Sequence, residues 1–158
     1  MKTGIFYGST TGVTEDVCKK VATLLGADVF EACEIDKAND YDFLIFATST
    51  WGMGDLQDSW LEVIDSLKNK NLSNKKVALI GVGDQCGFSD TFVNGMGTLY
   101  DAVVEAGANV VGKTSTEGYD YSDSTAVRDD HFVGLVIDEN NQSELTEERI
   151  KNWVESVK

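Results

Sequence analysis

The chain has 158 residues, with 27 acidic against 13 basic side chains, a formal net charge of −14, 42% hydrophobic and 25% charged residues. That length buries one sizeable core and is too short for two ordinary domains, so residues 1–158 read as a single domain, and no apolar run approaches a membrane span. The acidity repels nucleic acid and anionic membrane surfaces, which need basic patches; it either draws in a basic protein partner or only keeps a small protein soluble.

The start, MKTGIFYGST, runs directly into a strand and lacks the basic region, apolar stretch and cleavage site of a signal peptide, so the expected location is the cytoplasm. Cys18, Cys33 and Cys86 stand far apart with no CxxC pair and no histidine cluster. They read as free thiols in a reducing compartment, with no metal site.

In chain order, β-rich runs fall at about Lys2 to Tyr7, Ala27 to Ile35, Phe43 to Thr48, Lys76 to Val82 and Asn109 to Lys113. Helical faces lie between them: Val17, Val21, Leu24 and Leu25, then Trp60, Ile64 and Leu67, then Phe92, Met96, Leu99 and Val103. A last helix presents Ile150, Trp153, Val154 and Val157, with Thr146 as its expected N-cap and Glu147 and Glu148 in the first turn. Strands alternating with helices predict an α/β fold, a doubly wound five-stranded parallel sheet covered on both faces. After Lys113 comes a polar stretch, TSTEGYDYSDSTAVRDD, and then a second apolar run, His131 to Ile137. This reads as an insertion interrupting strand five.

Three loops carry the chemistry. Strand one ends in Gly8, Ser9, Thr10, Thr11, Gly12, Val13 and Thr14, where a helix begins. Backbone N–H groups at a helix start, with hydroxyls and glycines for close approach, suit a phosphate; the alternative is a hydroxyl-rich N-cap. The loop has no lysine, unlike a P-loop, and its glycine spacing differs from the GxGxxG dinucleotide fingerprint. One monoester phosphate held without a counter-cation remains.

Strand three ends in Ser49, Thr50, Trp51, Gly52, Met53 and Gly54, which puts a large aromatic among glycines where the chain leaves the sheet. Strand four ends in Gly83, Asp84, Gln85, Cys86, Gly87 and Phe88, which read alone as a turn before a helix capped by Asp90. In the strand order 2-1-3-4-5, strands one, three and four are neighbours and their loops converge on one crevice at the switch point. A phosphate cradle with two aromatics fits a flat tricyclic ring on a phosphorylated tail.

The ordered segments GIFYGSTTGVTE, STWGMGDLQDSW, GVGDQCGFSD and DENNQSELTEERIKNWV resemble the flavodoxins over essentially the whole chain. The resemblance implies the flavodoxin-like fold and non-covalent FMN. Ser9 to Thr14 would then bind its phosphate, with Ser49 and Thr50 beside it. Trp51 would cover one face of the ring, and Gly52, Met53 and Gly54 would lie at its N5 edge. Gly83, Asp84, Gly87 and Phe88 would border the other face. The insertion resembles that of the long-chain subgroup. Phe88 stands where members commonly have tyrosine, and Ser49 where some have proline.

The implied function is that of a monomeric, low-potential carrier of single electrons that shuttles FMN between oxidised, semiquinone and hydroquinone states. Its partners would be reductases and oxidoreductases with basic docking surfaces. The alternative is an FMN-dependent quinone or nitro-compound reductase of the same fold. Response-regulator receivers need an aspartate ending strand three, where Thr48 and Ser49 stand, and small tyrosine phosphatases need a cysteine six places before an arginine, which is absent. His131, the only histidine, reads as a surface residue.

Overall fold

The computed structural model describes residues 2–8, 12–51 and 55–157. The first strand, Thr3–Gly8, lies between the second, Asp28–Glu31, and the third, Phe43–Trp51; the fourth, Lys76–Val82, follows on the far side of the third. The fifth comes in two pieces along the fourth: Asn109–Val110 pairs at Lys76 and Val77, and Leu135–Ile137 pairs at Ile80 to Val82. All these pairings are parallel and give the order 2-1-3-4-5, with strand five interrupted as the sequence predicts.

Alternation along the strands fills both faces of the sheet, as a parallel sheet requires. Phe6, Leu44, Phe46, Val77 and Leu79 pack on one side with Trp60, Leu67, Met96, Leu99 and Val103. Ile5, Phe43, Ile45, Ala78 and Ile80 pack on the other with Val17, Cys18, Val21, Ile150, Trp153 and Val154. The helices supplying these residues are α1 (Val13–Leu25), α2 (Asp58–Leu61), α3 (Ile64–Lys68), α4 (Asn94–Glu105) and α5 (Thr146–Val157).

Several local readings change. Strand two stops at Glu31, because residues 32–40 wind into a 3₁₀ helix that buries Ala32, Ile35 and Ala38, a spacing of three that suits three residues per turn. The Glu31 amide donates to the Glu34 carboxylate and fixes that start. Leu24 faces solvent, since at about 100° per residue it falls off the face centred on Val21 and Cys18. The Trp60 to Leu67 face belongs to two short helices broken at Glu62 and Val63.

Phe92 precedes α4, whose N-cap is Val93 at φ 48, a left-handed conformation that is costly for a β-branched residue. Its neighbour is clamped on both sides: the Phe92 amide donates to the Asp123 carbonyl, and the Phe92 carbonyl accepts from the Ser124 hydroxyl. Thr146 is inside the helix rather than capping it, because the 3₁₀ turn Ser143–Leu145 runs straight into α5.

The insertion forms a small antiparallel sheet of Thr114–Ser115, His131–Phe132 and Val127–Arg128. Its hairpin turns at Asp129 and Asp130, both at positive φ, as a two-residue type I′ turn demands. The chain then returns to the main sheet through Gly134. A Cβ there would collide with the Leu79 carbonyl oxygen and come within 2.6 Å of its carbon. Gly134→Ala should therefore destabilise the fold by about 3 kcal/mol, the upper end of an overpacking penalty, read as a lower urea midpoint.

Candidate functional site

The register sets three strand ends level. Gly8 pairs with Thr48, and Thr48 with Gly81, so the loops leaving strands one, three and four emerge side by side. Between them lies an open cleft of about 290 Å³ lined by Val13, Thr14, Ser49, Thr50, Val82, Gly83, Asp84, Phe88, Glu139 and Asn140.

The α1 side of the cleft is a helix N-terminus. Gly12 occupies the N-cap at φ 90, a conformation suited to glycine, and α1 has no side-chain cap hydrogen bond. Gly12 has no side chain to cap the helix with, and the first turn brings Val13 and Thr14 to the cleft wall. Thr14 is buried against the core in that first turn. Ser9, Thr10 and Thr11 lie outside the described residues.

Strand three contributes Ser49 and Thr50. The Thr50 hydroxyl accepts a hydrogen bond from the Gly95 amide at 2.8 Å, tying the strand end to the first turn of α4 and leaving its proton available to donate. Trp51 pairs antiparallel with Asp55, so the chain reverses there. The Trp51 side chain and Gly52, Met53 and Gly54 lie outside the described residues.

The loop after strand four is folded around one carboxylate. Asp84 Oδ1 accepts from the amides of Gly87 at 2.8 Å and Cys86 at 3.0 Å, and from Asn141 Nδ2 at 2.8 Å; Oδ2 accepts from Asn140 Nδ2 at 3.2 Å. The Phe88 amide closes the turn on the Asp84 carbonyl. Phe88 itself leaves 41% of its surface exposed at the cleft.

Seven sequence-predicted residues thus share the cleft wall: Val13, Thr14, Ser49, Thr50, Gly83, Asp84 and Phe88. Gly12 and Gly87 flank it in the same loops. Glu139 and Asn140 join them without having been singled out; their only signal is the DENN run directly after the fifth strand. Among the described lining residues there is no lysine or arginine, and Asp84 and Glu139 make the cleft acidic.

The Gly87 amide, then the Asn141 side chain, hold the Asp84 carboxyl below the range of a free aspartate. A depressed folded-state pKa contributes stability that is complete above the unfolded value and is lost as pH falls through the folded one. An NMR titration should therefore put the Asp84 midpoint below that of a free aspartate, and Asp84→Asn should remove the acid-side loss this residue causes.

Comparisons with known proteins agree with this architecture. The Flavodoxin family profile matches residues 5–153. The flavodoxin of Synechococcus elongatus is 42% identical over 163 residues, covering 99% of this chain and 96% of its own. That of a Nostoc species is 41% identical over 162 residues, covering 99% and 95%. Among solved structures, Fusobacterium nucleatum flavodoxin bound to flavin mononucleotide matches with a TM-score of 0.95 at 33% identity, over 99% of this chain and 97% of that one. Profile, relatives and fold agree that the chain belongs to the flavodoxin family, whose members are electron carriers rather than enzymes.

Proposed function

We propose that residues 1–158 form one FMN-binding domain that carries single electrons at low potential between other redox proteins. The observation that carries this reading is the cleft itself: the start of α1 at Val13 and Thr14 on one side and the half-exposed Phe88 ring on the other, where the loops of three neighbouring parallel strands emerge. The residues fit the cofactor. A monoester phosphate suits the first-turn amides, Thr14 and the Thr50 hydroxyl, and a flat ring suits apolar walls of Val82 and Phe88. The match to a flavodoxin bound to flavin mononucleotide supports the same assignment. We assign the remaining contacts, Ser9 to Thr11 at the phosphate and Trp51 with Gly52, Met53 and Gly54 at the ring, on the family pattern.

Bound FMN supplies a ring that takes up and returns one electron at a time. The chain's part is to bind it tightly, shield its faces and bias its potential. Asp84 and Glu139 at the cleft, within a chain of net charge −14, disfavour added negative charge and so keep the potential low. The same acidity draws in reductases and oxidoreductases with basic docking surfaces. Among the described residues no helix is long and apolar enough to cross a membrane. Cys18, Cys33 and Cys86 are free thiols, which a reducing compartment maintains, and with them we assign the protein to the cytoplasm, as a monomer.

The purified protein should be yellow with the FMN absorption spectrum, and its apoprotein should bind FMN more tightly than riboflavin, which lacks the phosphate. Phe88→Ala should weaken FMN by roughly 1–3 kcal/mol, taking base–aromatic stacking as the analogue, which is roughly five- to 150-fold on fluorescence titration. Transfer to a basic reductase should slow as salt rises, because screening removes steering between exposed charges. Equal affinity for FMN and riboflavin would remove the phosphate from α1.

A further inference from the structure

The loop that carries Asp84 and Phe88 rests on a joint buried beneath the cleft. Asp138, at the end of the fifth strand, has no exposed surface, and Gln85 is 3% exposed. Both the Gln85 amide and its Nε2 donate to Asp138 Oδ2, at 3.0 and 2.8 Å. The other carboxylate oxygen, Oδ1, accepts from the backbone amides of Asn140 and Asn141 at 3.1 and 3.0 Å. Asn141 Nδ2 then bridges the two acids, 2.9 Å from Asp138 Oδ2 and 2.8 Å from Asp84 Oδ1. On the far side, Gln85 Oε1 accepts from the Asp120 amide of the insertion at 2.5 Å.

Both polar atoms of the Gln85 side chain are thereby committed, one to strand five and the other to the insertion. Neither Gln85 nor Asp138 lines the cleft, yet each is one residue away from groups that do: Asp84 on one side, Glu139 on the other.

We propose that Gln85 and Asp138 are positioning residues for the cofactor. They lock the Asp84–Phe88 loop to the fifth strand, and through Asp120 they make the insertion a brace for that loop. The inference rests on the FMN reading above for its ligand and on the buried hydrogen bonds for its mechanism. A buried carboxylate that loses donors, or an amide left without its acceptor, bears the desolvation cost of that group, so a loop held this way is released when the joint is cut.

The test compares wild type with Gln85→Leu and with Gln85→Met. Gln85→Met keeps an unbranched side chain of similar length and removes both of its polar atoms, while every donor to Asp138 other than Gln85 Nε2 stays in place. Amide hydrogen exchange on the apoproteins is read at Cys86, Gly87 and Phe88, with strand-four amides at 77–81 as the internal reference. Gln85→Leu should speed exchange at 86–88 by roughly tenfold or more while the strand-four amides keep their protection. It should also weaken FMN by a similar factor and shift the visible circular dichroism of bound flavin, and Gln85→Met, which cuts the same two contacts, should do both as well.

Unchanged exchange at 86–88 in a folded Gln85→Leu protein overturns the proposal, as does equal loss of protection across 77–88, which is what a merely structural role predicts. Should Gln85→Leu not fold, Gln85→Met decides: faster exchange at 86–88 above a protected strand four supports the joint, and wild-type exchange there overturns it. A wild-type apoprotein that takes up no FMN overturns the cofactor reading instead, and the exchange rates still judge the joint.

Discussion

The register of the central strands governs what the rest of the chain has to do. Because Gly8, Thr48 and Gly81 share one row of the parallel ladder, three loops leave the sheet abreast and the start of α1 is delivered to the same place. A shift of one residue in either pairing would send side chains to the opposite face and stagger the loops. Alternating burial on both faces, Phe6 and Phe46 one way and Ile5 and Ile45 the other, makes such a shift strongly unfavourable. The stability of the core and the existence of the cleft are consequently one constraint.

The interrupted fifth strand solves a related problem. Its first piece covers the lower end of strand four and its second piece the upper end, so the edge is paired at both ends although the chain departs between them. The departure is anchored by an aromatic cluster in which Phe92, Tyr119, Tyr121 and Phe132 meet at ring separations of 5.1 to 6.0 Å. Arg149 stacks over Tyr119 at 4.0 Å and bonds to Gln142, joining α5 to the insertion. The insertion is thus packed into the core beside α4 and holds Val93 in its strained conformation through Phe92.

The charge at the cleft serves two ends in the same way. Ion pairs among the described residues sit mostly on exposed side chains, such as Lys19 with Glu15, and add little stability in water. The carboxylates that matter structurally, Asp84 and Asp138, are satisfied by amides instead of cations. Asp84, held below the range of a free aspartate by its N–H donors, keeps its negative charge, so the group that shapes the loop also sets the field around whatever occupies the cleft.

Much of this was legible in the sequence. The fold class, both ends of strand four and the break in strand five follow from residue patterns that report burial directly, and the strand order from the resemblance to the flavodoxins. The three loops were visible because glycines, hydroxyls and aromatics at strand ends are local signals. What the tertiary structure alone decided involves pairs far apart in the chain: Thr50 held by Gly95, Gln85 by Asp138 and Asp120, Asp84 by Asn140 and Asn141. The 3₁₀ helix at 32–40 and the outward Leu24 belong with these, since apolar residues at short spacing fit more than one local geometry and packing chooses. Hydrogen bonds between distant polar residues leave no periodicity behind, and only a folded chain brings their partners within reach.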